Sequence, residues 1–524
     1  MTAINEDRPD ASPKASSLQI ELNALNTIDE SERKGNPRDL FWPWFGANVS
    51  VFGISYGSFL LGFGISFWQA TLVGIAGIAI SFVLCGFIAL AGKRGSAPTM
   101  VLSRAAFGFN GNRIPAVLSW ILTVGWETVL TSLAVLATAT IFNRLGWQGG
   151  AVTKVVALIV VAGLIIVGGV VGFNLIMRMQ MIITIVTGVL TVVYIVLVLG
   201  HINFSAIAAL PNGALPAVIG GFVFMLTGFG LGWVNAAADY SRYLPRKASS
   251  GGVVFWTTFG SSLAPAILLF FGILLAGSSK HLSTAIGADP IGALATILPT
   301  WFLIPFTVVA VLGLVGGAVL DIYSSGLALL TAGLRVPRYA AAGVDGVLMI
   351  AGSIYVVFFA GNFINPFQGF LITLGVPIAA WCGIFIADLS LRRTNYAEKD
   401  LYTSRGRYGS FRGSAILLIV IGTVVGWGLV TNSYAGWLSW QGFLLEPFGL
   451  GGKTGAWAFA NLGVLAALVI GYAGTMIFGR GSVRRQESLT ASGDEGPASA
   501  TMTVPASASG MSDAASGASE GDAR

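Results

Sequence analysis

Two carboxylates stand where carboxylates are rare. Glu127, in "TVGWETVLTSL", and Asp321, in "LVGGAVLDIYSSGLALL", each lie near the middle of a long apolar run with no Lys or Arg at its centre. The charged form of a carboxyl group is costly in such surroundings, so each gains by meeting a donor or by taking up a proton. That chemistry suits ligand binding or proton coupling, and equally a plain bond between neighbouring helices. A second constellation lies in "GFGLGWVNAAADYSRYLP" (228–245), where Gly228, Gly230 and Gly232 alternate within apolar sequence. Each lowers helix propensity by about 1 kcal/mol against Ala. Alternate spacing puts them on all sides of a helix, which suits an unwound segment. An interrupted membrane helix exposes backbone groups and dipole ends that hold polar ligands or ions. Asn48, Ser50 and Ser55 break the first apolar run in a weaker version of the same pattern. By contrast, Gly313, Gly316 and Gly317 have the spacing of a helix-packing face. Asp239 and Asp388, each followed by Arg at the end of a run, suit caps or ion pairs.

The elements that must position these groups follow from composition. Of 524 residues 55% are hydrophobic and 10% charged, and mean hydropathy is +0.79. Soluble domains carry about 25% charge. The apolar runs are too long and continuous for barrel strands and read as membrane helices. Twelve are expected, at 41–64, 66–92, 115–142, 152–173, 179–199, 216–241, 253–277, 302–333, 345–361, 366–388, 414–432 and 455–478. The fold class is therefore an all-α polytopic membrane protein. Breaks in runs one and six, five helices apart, suit an inverted five-plus-five repeat.

With both termini cytoplasmic, inner segments hold 25 of the 29 basic residues, leaving Arg144, Lys154, Lys280 and Lys453 outside. The excess of positive charge thus reports topology, and no concentrated basic patch suggests a nucleic acid. The first 40 residues contain eight acidic residues and no signal-peptide core. Residues 1–40 and 479–524 read as largely disordered cytoplasmic tails, flanking a transporter domain at 41–478. The segment 278–299 is expected to form a short interfacial helix over the site. Cys85 and Cys382 lie in apolar runs, and His201 and His281 have no metal-ligand spacing, so no disulfide, metal or cofactor is implied.

Five motifs in order resemble the nucleobase–cation symporter-1 family, in its purine–cytosine permease branch. They are "NPRDLFWPWFGAN", "GSAPTMVLSRAAFGFNGNRIPA", "AADYSRYLP", "DIYSSGL" and "GIFIADLSLRR". The resemblance implies about twelve helices, the first ten in a LeuT-type inverted repeat with helices 1 and 6 broken. It implies a planar heterocycle stacked between Trp126 and Trp233, with Asn48, Ser50 and Phe229 lining the broken helices. Many relatives carry an amide one turn after the helix-three tryptophan and another in the helix-eight motif. Here those positions hold Leu130 and Asp321, and Glu127, three residues before Leu130, is expected to supply the polar contact. Sodium-dependent relatives place hydroxyls five and six residues before the Asp321 position, where this chain has Gly316 and Val315. Proton coupling through Asp321 or Glu127 is therefore expected. The reading is import of a purine or cytosine across the plasma (inner) membrane. Its alternatives are a hydantoin, allantoin, nucleoside or thiamine as substrate, or a sensor that binds without transport. The scattered His and Cys argue against a membrane enzyme.

Overall fold

The computed structural model describes residues 25–361, 363–433 and 436–491. The expected tails at 1–24 and 492–524 lie outside the described residues. Every regular element among the described residues is helical. In chain order the helices are α1 (Phe41–Asn48), α2 (Phe52–Leu61), α3 (Phe67–Gly95), α4 (Thr99–Leu102), α5 (Arg104–Phe107), α6 (Arg113–Arg144), α7 (Ala151–Val171), α8 (Phe173–Val198) and α9 (Phe204–Ala208). They continue with α10 (Leu215–Gly228), α11 (Ala237–Ser241), α12 (Ser250–Ser278), α13 (Lys280–Ala288), α14 (Gly292–Ala295), α15 (Leu303–Ala332) and α16 (Arg338–Phe358). The last four are α17 (Ile364–Leu391), α18 (Gly413–Gly428), α19 (Leu462–Phe478) and α20 (Arg480–Ala491).

Local signals start several of these helices. Ser66 and Gln69 form a reciprocal capping box that begins α3. The Ser249 and Ser279 side chains accept the backbone N–H groups of Gly252 and Leu282 and begin α12 and α13. Nine helices among the described residues are long and apolar enough to cross a membrane, or ten if the bent pair Leu462–Phe478 and Arg480–Leu489 is one span. Helix is present at all twelve expected positions, and α19, of 17 residues against an expected 455–478, is among those shorter than anticipated. The first run divides into α1 and α2, and α18 has 16 residues.

The packing is organised in exchanged pairs. The first five runs are α1–α2, α3, α6, α7 and α8; the next five are α10–α11, α12, α15, α16 and α17. As α2 packs on α12, so α10 packs on α3; as α7 packs on α15, so α16 packs on α6; and as α8 packs on α15, so α17 packs on α6. The self-paired contacts α3–α12 and α6–α15 complete the set. Such reciprocity is what a two-fold relation between two five-helix halves produces. At the α2–α12 crossing, a methyl group on Gly57 would sit 2.1 Å from the Gly272 carbonyl carbon, so both positions require glycine for the backbones to meet.

The end of the chain corrects the expected disordered tail from 479. Residues 480–491 are helical, and α20 docks on the loop after α17. The Glu487 carboxylate accepts the backbone N–H groups of Arg393 and Thr394 at 2.7 and 2.9 Å. Burial opposes its charge, but these donors outweigh it and hold the carboxyl below its ordinary range. The segment after α12 forms the short helix α13. Ser58 on α2 meets Ser283 on it at 2.8 Å, and Ser55 donates to the Pro290 carbonyl beyond it at 2.5 Å.

Candidate functional site

The α-helical ladder of α10 stops at Gly228. Phe229 takes φ −121°, ψ −106°, two 3₁₀ turns follow at Gly230–Gly232 and Val234–Ala236, and the chain re-enters α-helix at α11. Neighbouring helices satisfy the released backbone groups. Ser81 accepts from the Gly230 N–H at 3.0 Å, Cys85 donates to the Gly230 carbonyl at 3.1 Å, and Tyr56 donates to the Gly228 carbonyl at 3.2 Å. A methyl group on Gly230 would lie 2.2 Å from the Ser81 carbonyl carbon, and one on Gly232 would lie 2.8 Å from Trp126 Nε1. Glycine therefore brings the irregular backbone against α3 on one side and the Trp126 indole on the other.

The matching irregularity between α1 and α2 spans three residues, Val49–Val51. Asn48 Nδ2 donates to the Trp44 carbonyl at 2.8 Å, and Ser50 Oγ accepts the Phe52 N–H at 3.3 Å. Both side chains thus serve the backbone at the break. Gly313 of α15 lies against it, since its absent methyl would meet the Val49 carbonyl oxygen at 3.0 Å and the Ser50 Cα at 3.1 Å.

Trp126 is buried and stands edge-on to Phe367 at 5.6 Å and Phe370 at 6.1 Å; its Nε1 has no partner among the described residues. Trp233 is half-buried and edge-on to Trp44 at 5.8 Å. The structure brings both tryptophans to the 3₁₀ segment without ring contact between them. Phe229 stands at the break itself. Its ring turns to Tyr56 at 4.6 Å and Phe82 at 6.4 Å, in a packing role between α2 and α3. The side-chain direction follows from the irregular backbone at that residue, φ −121° and ψ −106°.

Glu127 and Asp321 face each other's helices across the α6–α15 contact. Both are at most 1% exposed, and none of their four carboxyl oxygens has a hydrogen-bond partner among the described residues. Leu130, one turn after Trp126, packs against Gly317 of α15. The other two in-run aspartates have structural partners. Asp239 accepts the backbone N–H and the hydroxyl of Thr99 at 2.7 and 2.8 Å. Asp388 grips Arg392 through both oxygens at 2.6 and 3.0 Å, with Arg412 at 3.6 Å. Burial works against the charge on Arg392, yet Asp388 outweighs it and the guanidinium holds its proton more tightly than free arginine.

Two further polar positions were not anticipated. Run nine is expected from 345, whereas α16 begins at Arg338 and carries Asp345 well inside as a fully buried side chain. Gln180, an uncharged residue in an apolar run, donates through Nε2 to the Gly316 carbonyl at 2.6 Å. Its Oε1 and the Thr184 hydroxyl have no partner, and both crowd Gly46. A side-chain oxygen, Gln180 Oε1, therefore reaches Gly316 from α8. Beside α13 lies a cavity of about 520 Å³ lined by Ser58, Phe59, Ala217, Ser283, Gln368 and Phe459. Phe367 packs on Phe59 of the cavity wall at 6.5 Å and on Trp126 at 5.6 Å, and so bridges the wall and the tryptophan.

Comparison with known proteins agrees with this geometry. The family described as "Permease for cytosine/purines, uracil, thiamine, allantoin" matches residues 27–446. The putative purine-cytosine permease YxlA of Bacillus subtilis is 22% identical over 425 residues, covering 80% of this chain and 90% of that protein. The purine-cytosine permease FCY2 of Saccharomyces cerevisiae is 26% identical over 272 residues, covering 50% of this chain and 48% of that protein. In fold, the chain is similar to Mhp1, a nucleobase-cation-symport-1 family transporter solved in a closed conformation with bromovinylhydantoin bound. The TM-score is 0.63 at 19% identity, covering 90% of this chain and 99% of that one.

Proposed function

The chain belongs to the family of permeases for cytosine and purines, uracil, thiamine and allantoin, and from that premise we propose that it imports a purine or cytosine with a proton by alternating access. The observation that carries this reading is the pair Glu127 and Asp321, fully buried and unpartnered next to Trp126 and the irregular segment at Gly232. A nucleobase presents N–H donors at its edge and a flat apolar face. Two acceptor carboxyls and two indoles complement that ligand. Stacking on an aromatic side chain is worth about 1–3 kcal/mol per base, and satisfying a buried acceptor recovers about 1–3 kcal/mol of desolvation penalty.

In this reading Trp126 and Trp233 hold the ring, Glu127 and Asp321 accept from its edge, and one of the two carboxyls takes the proton. Asn48 and Ser50 hold the α1–α2 break in the shape the site needs, and Gly228, Gly230 and Gly232 do so for the facing segment. The membrane is the plasma (inner) membrane, with the basic loops and both termini on the cytoplasmic side.

A second reading, coupling to sodium, is favoured by one observation. Gln180 Oε1 and Thr184 Oγ1 are unpartnered oxygens beside Gly46, the first of them also beside Gly316, and a hard cation takes oxygen ligands. Uptake of labelled cytosine, adenine and hypoxanthine into proteoliposomes, with proton and sodium gradients imposed separately, decides between them. Accumulation under the proton gradient alone is expected, with Asp321→Asn losing its dependence on that gradient. Accumulation under sodium alone would overturn proton coupling and transfer the coupling role to Gln180 and Thr184.

A further inference from the structure

Glu127 has a neighbour that the transport reading above does not use. Ser325, one helical turn beyond Asp321 on α15 and across the α6–α15 contact from Glu127, donates its hydroxyl to Asp345 Oδ2 at 2.8 Å and has no hydrogen bond to the Glu127 carboxyl in this state. The other oxygen of Asp345 accepts from Trp120 Nε1 at 2.6 Å. Ser325 and Asp345 are both fully buried, on α15 and α16. No group of three His, Cys, Asp or Glu side chains among the described residues is placed to hold a metal ion. The carboxyls are strung out along the α6–α15–α16 contact rather than gathered at one point.

The string has a direction. Asp345 lies seven residues into α16 and Trp120 seven residues beyond the start of α6, about 10 Å along each axis. The ends they approach are on the same face, because Gly333 after α15 lies against the Arg113 guanidinium. That face carries the basic loops.

We propose that Ser325 and Asp345 form a proton relay linking the ligand-facing carboxyls Glu127 and Asp321 to the basic-loop face of the membrane. This rests on the proton-symport reading. In the relay step the Glu127 carboxyl, unpartnered at rest, closes onto Ser325 Oγ and passes it a proton as Ser325 passes its own to an ionised Asp345 through Oδ2. Glu127 ends ionised, Asp345 ends neutral, and Ser325 is a hydroxyl before and after. Its second acceptor, the Ile322 carbonyl at 3.2 Å, provides the orientation through which the hydroxyl resets.

Among the described residues, the groups around the relay leave it free of a fixed counter-ion. Glu127 is faced by Asp321, Ser325 and Asp345. On α15, Asp321 and Tyr323 are the titratable neighbours, and the Tyr323 hydroxyl is occupied by Arg242 at 2.8 Å. On α16, Arg338 donates to the Gly169 and Val170 carbonyls at 2.6 and 2.9 Å and lies over the Tyr323 ring. The only ionisable residue of α7, Lys154, sits over the Phe358 ring at the far end of α16. Trp120 is the donor from α6.

Two measurements on the full-length purified protein test the relay. Trp120 reports the charge of Asp345 directly. The difference in tryptophan emission between wild type and Trp120→Phe is expected to show one protonation step between about pH 5 and 9, the range that burial gives a carboxyl, absent from the Asp345→Asn background. No step, or a step that survives Asp345→Asn, overturns the relay whatever the substrate is. In proteoliposomes, Asp345→Asn and Ser325→Ala should each lower proton-driven accumulation of cytosine, adenine or hypoxanthine by at least about tenfold, as expected for a positioned proton carrier. Exchange of internal for external labelled base, which needs no net proton movement, should stay within about threefold of wild type. Undiminished driven uptake in both variants, or equal loss of driven uptake and exchange, overturns the relay while wild-type accumulation upholds the symport reading. Wild type that accumulates no base under a proton gradient overturns that reading, and the relay with it.

Discussion

An indole face can be supplied to a ligand only if something keeps its edge engaged elsewhere. Trp233 meets that condition through Trp44, whose ring stands at 86° to it, an arrangement worth about 0.5–1.5 kcal/mol beyond burial. Trp233→Ala removes a stacking surface worth about 1–3 kcal/mol, so the concentration of base giving half-maximal uptake should rise about tenfold to a hundredfold. Trp233→Phe should recover most of that loss. Uptake by Trp233→Ala indistinguishable from wild type would remove this residue from the site. Glu127 and Asp321 were legible in the sequence because a carboxylate in an apolar run has no cheap structural explanation. Asp345 was missed because placing the start of run nine at 345 made it a boundary residue, although α16 starts seven residues earlier. Gln180 was missed because a neutral amide barely disturbs hydropathy, and its importance lies in a contact with Gly316 that only the tertiary structure makes.

At the scale of elements, the irregular segment after α10 depends on backbone meeting backbone. The Gly230 position has no room for Cβ, since the obstruction is the main chain of α3 at Ser81 and not a movable side chain. Gly230→Ala should therefore destabilise the purified protein by about 1–3 kcal/mol, the usual penalty of overpacking, and lower its melting temperature accordingly. A melting temperature equal to wild type would mean that the segment can withdraw from α3 without loss. The alternate glycines revealed this irregularity because glycine on every side of a helix serves no packing face. Hydropathy also located the helices, since burying about 20 apolar residues in hydrocarbon decides their existence before any tertiary contact forms. Helix α20 was not legible for the opposite reason. Its polar sequence earns order only from partners such as Arg393 and Thr394, almost a hundred residues earlier, which receive Glu487.

For the whole molecule, the reciprocal packing of two five-helix halves puts an irregular segment in the first run of each half, and Phe367 bridges the wall of the cavity beside α13 and Trp126. A substrate arriving through that cavity must displace this aromatic layer, and a transporter must then restore it before opening the opposite face. A ligand shifts such an equilibrium only by the difference in its affinity for the two states. Ala217, half-buried on the cavity wall, is a position from which to watch the shift, because both native cysteines, Cys85 and Cys382, are fully buried and give little background. Ala217→Cys should react with a membrane-impermeant maleimide in the absence of ligand. Saturating base with the coupling gradient should slow that reaction by about threefold or more as the closed population grows. A rate unchanged by a base that the same protein is shown to bind would mean that binding leaves the cavity as it is. The chain would then act by recognition alone, as a sensor, despite its symporter architecture.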